Sequence, residues 1–156
     1  MAQEIERKFL VSGDFRPHTT SQTRITQAYL SSAAERAVRV RIEGEKGFLT
    51  IKGKARQKGT SRYEWEKEIP KKEALELLEI CEPGMIEKIR HRVPAGSHSF
   101  EVDEFLGDNK GLIVAEIELR SPHEEFERPG WLGEEVTGDP RYYNASLAKN
   151  PYSTWG

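Results

Sequence analysis

Charged and apolar residues alternate every second position along most of this chain, a period that belongs to strands. In Glu4-Ile5-Glu6-Arg7-Lys8-Phe9-Leu10-Val11, Glu4, Glu6 and Lys8 fall on one parity, and Ile5, Phe9 and Val11 on the other. Successive strand side chains point to opposite faces, so two carboxylates and an ammonium share one side of this segment. Two oxygen ligands for a hard cation beside a donor for a phosphate oxygen suit a metal with a polyphosphate. One such segment says little, because a sheet with one wet face shows the same pattern.

The pattern returns along the chain. Arg39, Arg41 and Glu43 alternate with Val38, Val40 and Ile42, and Thr50, Lys52 and Lys54 with Leu49 and Ile51. Arg62, Glu64, Glu66 and Glu68 share a parity, as do Lys88 and Arg90 around Ile89. Glu101 and Asp103 alternate with Phe100 and Val102, and Glu116, Glu118 and Arg120 with Ala115, Ile117 and Leu119. Strands are expected at about 3–11, 24–31, 36–44, 47–54, 62–69, 86–93, 98–106 and 112–120, joined by the turns Glu43–Gly47, Pro94–Ser97 and Gly107–Gly111. A helix is expected over about 71–82, between Pro70 and Pro83-Gly84, with Ala74, Leu75, Leu78 and Cys81 on one stripe. A second is expected at about 144–149 and a short one within 122–128, followed by an irregular tail from Pro151.

The expected fold is therefore α+β and mostly β, a single domain over residues 1–156. Eight antiparallel strands with charge on one face close most economically into a barrel, which removes the sheet edges. The charged set then lines a tunnel and the apolar set faces outward beneath a few helices. An interior of this kind is tolerable only if opposite charges pair or an ionic guest fills it. Lys8, Arg39, Arg41, Lys52, Lys88 and Arg90 suit the oxygens of a linear polyphosphate, and the acidic members suit its metal.

Composition narrows the partners. The chain has 24 Lys+Arg against 26 Asp+Glu, a net charge of -2, which excludes a general polyanion-coating protein, so no nucleic-acid partner is expected. The single cysteine, Cys81, lies among leucines and isoleucine and reads as a buried thiol; no internal disulfide is possible. Without an export-type apolar segment or a run near eighteen apolar residues, no membrane role is expected, and a cytoplasmic enzyme or binding protein remains. The four histidines are scattered without metal-ligand spacing, and Tyr29, Trp65, Trp131, Tyr142 and Tyr143 read as packing residues before base-stacking ones.

The ordered set of motifs resembles the CYTH domain, the triphosphate tunnel metalloenzymes, and especially their small bacterial inorganic triphosphatases. It comprises Glu4-Ile5-Glu6-Arg7-Lys8, Val38-Arg39-Val40-Arg41, Thr50-Ile51-Lys52-Gly53-Lys54, Arg62-Tyr63-Glu64-Trp65-Glu66, Glu87-Lys88-Ile89-Arg90, Asp103-Glu104-Phe105-Leu106-Gly107 and Ala115-Glu116-Ile117-Glu118-Leu119. The segments Trp131–Thr137 and Asp139–Asn144 extend it toward the C-terminus. The resemblance implies an eight-stranded tunnel that hydrolyses triphosphates with Mg²⁺ or Mn²⁺. It implies Glu6 and Glu118 as ligands of the phosphate-bridging metal, and Glu4 and Glu116 as the pair serving a second metal or the attacking water. Asp103 would complete the acidic cluster. Glu4, Glu116, Lys8, Arg39 and Arg41 are the expected catalytic groups, while Glu64 and Glu66 either bind metal or brace the arginines. The expected reaction takes inorganic triphosphate to pyrophosphate and phosphate, with nucleoside triphosphates as a side activity. A class IV adenylate cyclase, a thiamine triphosphatase and a noncatalytic polyphosphate- or nucleotide-binding module are the alternatives.

Overall fold

The computed structural model describes residues 3–54 and 61–155. The alternating segments form strands β1 Gln3–Val11, β2 Ser21–Ser31, β3 Arg36–Glu43, β4 Lys46–Gly53, β5 Ser61–Ile69, β6 Ile86–Ala95, β7 His98–Phe105 and β8 Ile113–Glu118, followed by a short β9 Leu132–Glu135. They build one sheet in the order β5-β4-β3-β2-β6-β7-β8-β1-β9, antiparallel at every pairing.

Closure is only partial, which corrects the fully closed eight-stranded barrel. The first residues of β1 reach β5 in the register Gln3↔Tyr63, Glu4↔Arg62 and Ile5↔Ser61, whereas Glu6–Leu10 pair with β8. The far part of the free β1 edge is taken by β9, which pairs around Phe9 and Val11 with a register shift between them. One edge cannot hold two partners at the same residues, so β5 pairs only the start of β1. The β9 segment, Leu132-Gly133-Glu134-Glu135, carries no period-two pattern, and its place is decided by the edge it caps.

Helix α1, Lys71–Leu78, packs outside β2–β4 and is shorter than the expected 71–82. Its contact differs from the expected stripe: Ala74 is fully buried while Leu75 is 50% exposed. Gly47 explains the difference, since a Cβ there would lie 2.7 Å from the Ala74 Cβ. The helix comes so close to β4 that alanine fills the contact. Beyond Leu78 the chain tightens into turns, and Cys81 is half-buried rather than buried.

No helix forms within 122–128, and the expected helical jacket is confined to α1 and a C-terminal helix. The apolar outer face of β1 and β6–β8 is covered instead by the irregular strap from Leu119 to Trp131. Phe126 meets the edges of Phe9 and Phe100, and Trp131 packs against Phe15 and Phe100. The strap is pinned by Glu124, which bonds His98 Nε2 at 2.6 Å and accepts from the Arg120 amide, and by the guanidiniums of Arg7 and Arg128 over the Phe126 ring. Aromatic side chains reach the sheet from an extended strap, so this face needs no helix.

Helix α2, Asn144–Lys149, forms where expected and buries Leu147. Leu147 and Tyr142 join Ile86, Phe105, Leu112, Val114 and Val136 in a cluster that also takes in Leu10. Ile86, Phe105, Val114 and Leu10 have the same strand parity as Lys88, Asp103, Glu116 and Lys8. The inward face thus turns apolar at one end and stoppers the interior. Gly84, at φ +102°, makes this docking possible, since a Cβ there would stand 2.1 Å from the Ala148 carbonyl oxygen. We expect Gly84→Ala to cost about 2–4 kcal/mol. Gly44→Ala, at φ +60° with nothing within 4 Å of the added carbon, should cost about 1 kcal/mol. Urea midpoints of the two variants check this; equal shifts would refute the close approach of α2.

Candidate active site

The inward face of the sheet encloses a cavity of about 330 Å³ to which β1–β8 all contribute side chains. Register decides which groups meet. On the β3–β5 side, Arg39 stands opposite Thr50, and Thr50 opposite Glu66, in one row across three strands. Lys52 stands opposite Glu64, with Nζ 3.7 Å from the carboxylate. Arg41 and Arg39 approach the same Glu66 oxygen at 3.5 and 3.9 Å. On the β1–β8 side, Glu6 is paired with Glu118, and Lys8 with Glu116 at 3.6 Å. Cations thus predominate on the β3–β5 side of the cavity and carboxylates on the β1–β8 side, each side carrying paired charges of the other sign.

Burial and pairing set the charge states. Burial pushes the Lys8 ammonium toward neutrality, but Glu116 and Glu6 outweigh it and leave its pKa raised. Burial likewise opposes the charge on Glu116, and Lys8, Arg90 and Lys88 reverse the effect, holding it well below the ordinary carboxylate range. Glu116 is thus an ionised partner for cations and a poor proton acceptor. The Arg41 pKa is lowered by burial and by repulsion from Arg39. The Nε atoms of both arginines are buried without a partner, which is costly unless an acceptor enters the cavity.

Of the expected site residues, Lys8, Arg39, Arg41, Lys52, Arg90, Glu6, Glu116, Glu118, Glu64 and Glu66 line the cavity. Only the backbone of Glu4 is described, placed opposite Arg62. Lys88 and Asp103 lie behind the lining, where the register Arg90↔Asp103 puts them among β6 and β7 side chains. Asp103 is 2% exposed and accepts from Lys88 Nζ at 2.8 Å and from Arg90 Nε and Nη2 at 2.8 and 2.9 Å. Both of its oxygens bind these two cations, so Asp103 buttresses Arg90 at the edge of the cavity. Burial pushes the fully enclosed Lys88 down to about 8.

Several lining residues were absent from the expected set. Arg62 and Glu101 were visible as members of the alternating parity. Thr50 shared that parity with Lys52 but, uncharged, was not marked as a site residue, and Tyr143 and Asn144 come from the approach to α2, outside any strand pattern. The Lys8 ammonium lies 5.5 Å from the centre of the Tyr143 ring. Tyr29 also lines the cavity, whereas Trp131 and Tyr142 are packed in the two cores, in keeping with their expected structural role.

Among the described residues, no three or more carboxylate, histidine or cysteine side chains gather to form a metal cage. Glu6 and Glu118, directly opposed on neighbouring strands, still fit a divalent cation, since like charges at paired positions repel unless a cation is shared. Mg²⁺ in particular needs only one or two carboxylates when phosphate oxygens and waters complete its shell. Among the described residues, no helix is long and apolar enough to cross a membrane.

The CYTH domain model matches residues 2–152. The chain is 47% identical over 156 residues to an inorganic triphosphatase of Acetivibrio thermocellus, covering 99% of both proteins. It is 36% identical over 150 residues to an inorganic triphosphatase of Nitrosomonas europaea, covering 93% of this chain and 96% of that one. A crystal structure of an inorganic triphosphatase superposes with a TM-score of 0.66 at 33% identity, covering 93% of this chain and 97% of the other.

Proposed function

Because this chain belongs to the CYTH domain family, we propose that it is a metal-dependent triphosphatase, hydrolysing inorganic triphosphate to pyrophosphate and phosphate in the cytoplasm. The observation that carries the reading is the cavity itself, lined by Arg39, Arg41, Lys52, Arg62 and Arg90 together with Glu6, Glu116 and Glu118, and two buried arginine Nε donors awaiting an acceptor. The two full-length relatives named inorganic triphosphatase support it.

Phosphoryl transfer asks for positioning and neutralisation of charge more than for covalent chemistry. Arg39 and Arg41 grip the phosphate oxygens, with Lys52 and Arg90 as further donors, and Lys8 is kept charged between Glu6 and Glu116. Glu64 and Glu66 brace Lys52 and the arginine pair. Asp103, which also binds Lys88, holds Arg90 from behind. Glu6 and Glu118 hold the divalent cation, Mg²⁺ or Mn²⁺, with Glu4 and Glu116 as further carboxylates. When bound, that ion neutralises phosphate oxygens and orients the chain for in-line attack. Water adds to the terminal phosphorus and gives up a proton to solvent, the bridging P–O bond breaks, and pyrophosphate leaves with the bridging oxygen.

Tripolyphosphate, pyrophosphate, ATP and thiamine triphosphate, each supplied with Mg²⁺ or Mn²⁺ and followed by released phosphate, form the test. We expect metal-dependent release, fastest from tripolyphosphate and abolished in Glu6→Ala. Cyclic AMP from ATP would instead indicate a cyclase, and binding without turnover a sensor.

A further inference from the structure

Three donors converge on a single oxygen, Glu66 Oε1: the Thr50 hydroxyl at 2.7 Å, Arg41 Nη2 at 3.5 Å and Arg39 Nη2 at 3.9 Å. Only the first is short. Glu66 is about one-third exposed, whereas the side chains of Arg39 and Arg41 are one-tenth exposed and Thr50 is buried. A carboxylate so placed gains more from water than from two long contacts unless something tethers it. Thr50 is that tether. It occupies the middle of the row Arg39–Thr50–Glu66, and neighbouring strands stand about 4.8 Å apart, so the arginine and glutamate backbones are separated by about 10 Å. A small middle residue lets the long side chains meet above it. Its hydroxyl also accepts from Arg39 Nη2 at 3.5 Å while donating to Glu66.

We propose that Thr50 is a positioning residue that sets the Arg39 and Arg41 guanidiniums through Glu66. The two arginines repel one another, as the lowered Arg41 pKa reflects after burial, and the tethered carboxylate offsets that repulsion. Without the hydroxyl, Glu66 swings to solvent and the pair splays. The inference rests on the triphosphatase reading for its kinetic consequence, but its structural part stands apart from it.

The test compares Thr50→Val, which keeps the branched shape, with Thr50→Ser, which keeps the hydroxyl. It reads tripolyphosphate kinetics, thermal melting and the Nε–Hε NMR signals of Arg39 and Arg41. We expect Thr50→Val to lower kcat/KM about 10- to 100-fold, the size of a hydrogen bond to a charged group, and to move both arginine signals. Thr50→Ser should stay within about threefold of the parent, with both signals in place. If Thr50→Val matches Thr50→Ser in signals and kinetics, the proposal is overturned. If the parent does not hydrolyse tripolyphosphate, the triphosphatase reading fails while the arginine signals still decide the role of Thr50. Should Thr50→Val melt too low to assay, Glu66→Gln probes the same contact from its other side and is expected to move the same two signals; unmoved signals would overturn the proposal.

Discussion

Arg39→Ala is expected to lower tripolyphosphate hydrolysis by about 10³-fold or more, the scale on which a single arginine stabilises phosphoryl transfer. Arg39 is one of two buried guanidiniums whose Nε atoms have no partner, and it lies beside Thr50 and Glu66 on the β3–β5 side of the cavity. A charge placed there before substrate arrives is worth more than one in water, because the protein rather than solvent supplies its orientation. Arg39→Lys should recover only part of the loss, since an ammonium is a point charge and cannot present the planar fork. The folded state should survive in both variants, because Arg39→Ala removes one of two mutually repelling cations and Arg39→Lys only retains a charge the site already accommodates. Activity of Arg39→Ala within tenfold of the parent would remove this side of the cavity from the mechanism.

Asp103→Ala is expected to be the most destabilising single change at the site, costing about 3–5 kcal/mol, or about 10 °C in Tm. The substitution strands Lys88, which has no exposed surface, beside Arg90 with no intervening negative charge. The price of a buried ion pair shows when one partner is lost. Acid titration gives a second readout. Burial opposes ionisation of Asp103, but Arg90 and Lys88 prevail, so its folded pKa lies below the ordinary value. The unfolded chain therefore binds more protons below about pH 4, and the stability Asp103 contributes, fully present above that pH, is lost as pH falls through the folded pKa. In Asp103→Asn that part of the acid slope, up to about 1.4 kcal/mol per pH unit, should vanish. An alanine variant within 1 kcal/mol of the parent, with an unchanged acid slope, would show that the pairing carries no stability.

Most of the strand content and the charged cavity were legible before any coordinates, because a period of two is a local property written residue by residue. Ile86, Phe105, Val114 and Leu10 show where that local rule stops. They continue the inward parity, yet nothing in their own segments says that they meet Leu147 and Tyr142 from the far end of the chain. Asp103 shows the same limit for chemistry, since its parity marks it as inward but not as enclosed by Lys88 and Arg90.

Parity along each segment was enough to put Glu6, Lys8, Arg39, Arg41, Lys52, Glu116 and Glu118 on one face, and the need to close the sheet edges turned that face inward. Partnership across segments needed the folded sheet: β9 capping the edge of β1, α2 stoppering one end, and the Thr50 hydroxyl bonded to Glu66. Side-chain direction in a strand depends on a residue and its immediate neighbours, whereas register and edge pairing depend on other segments, some of them more than a hundred residues away, which no local period encodes.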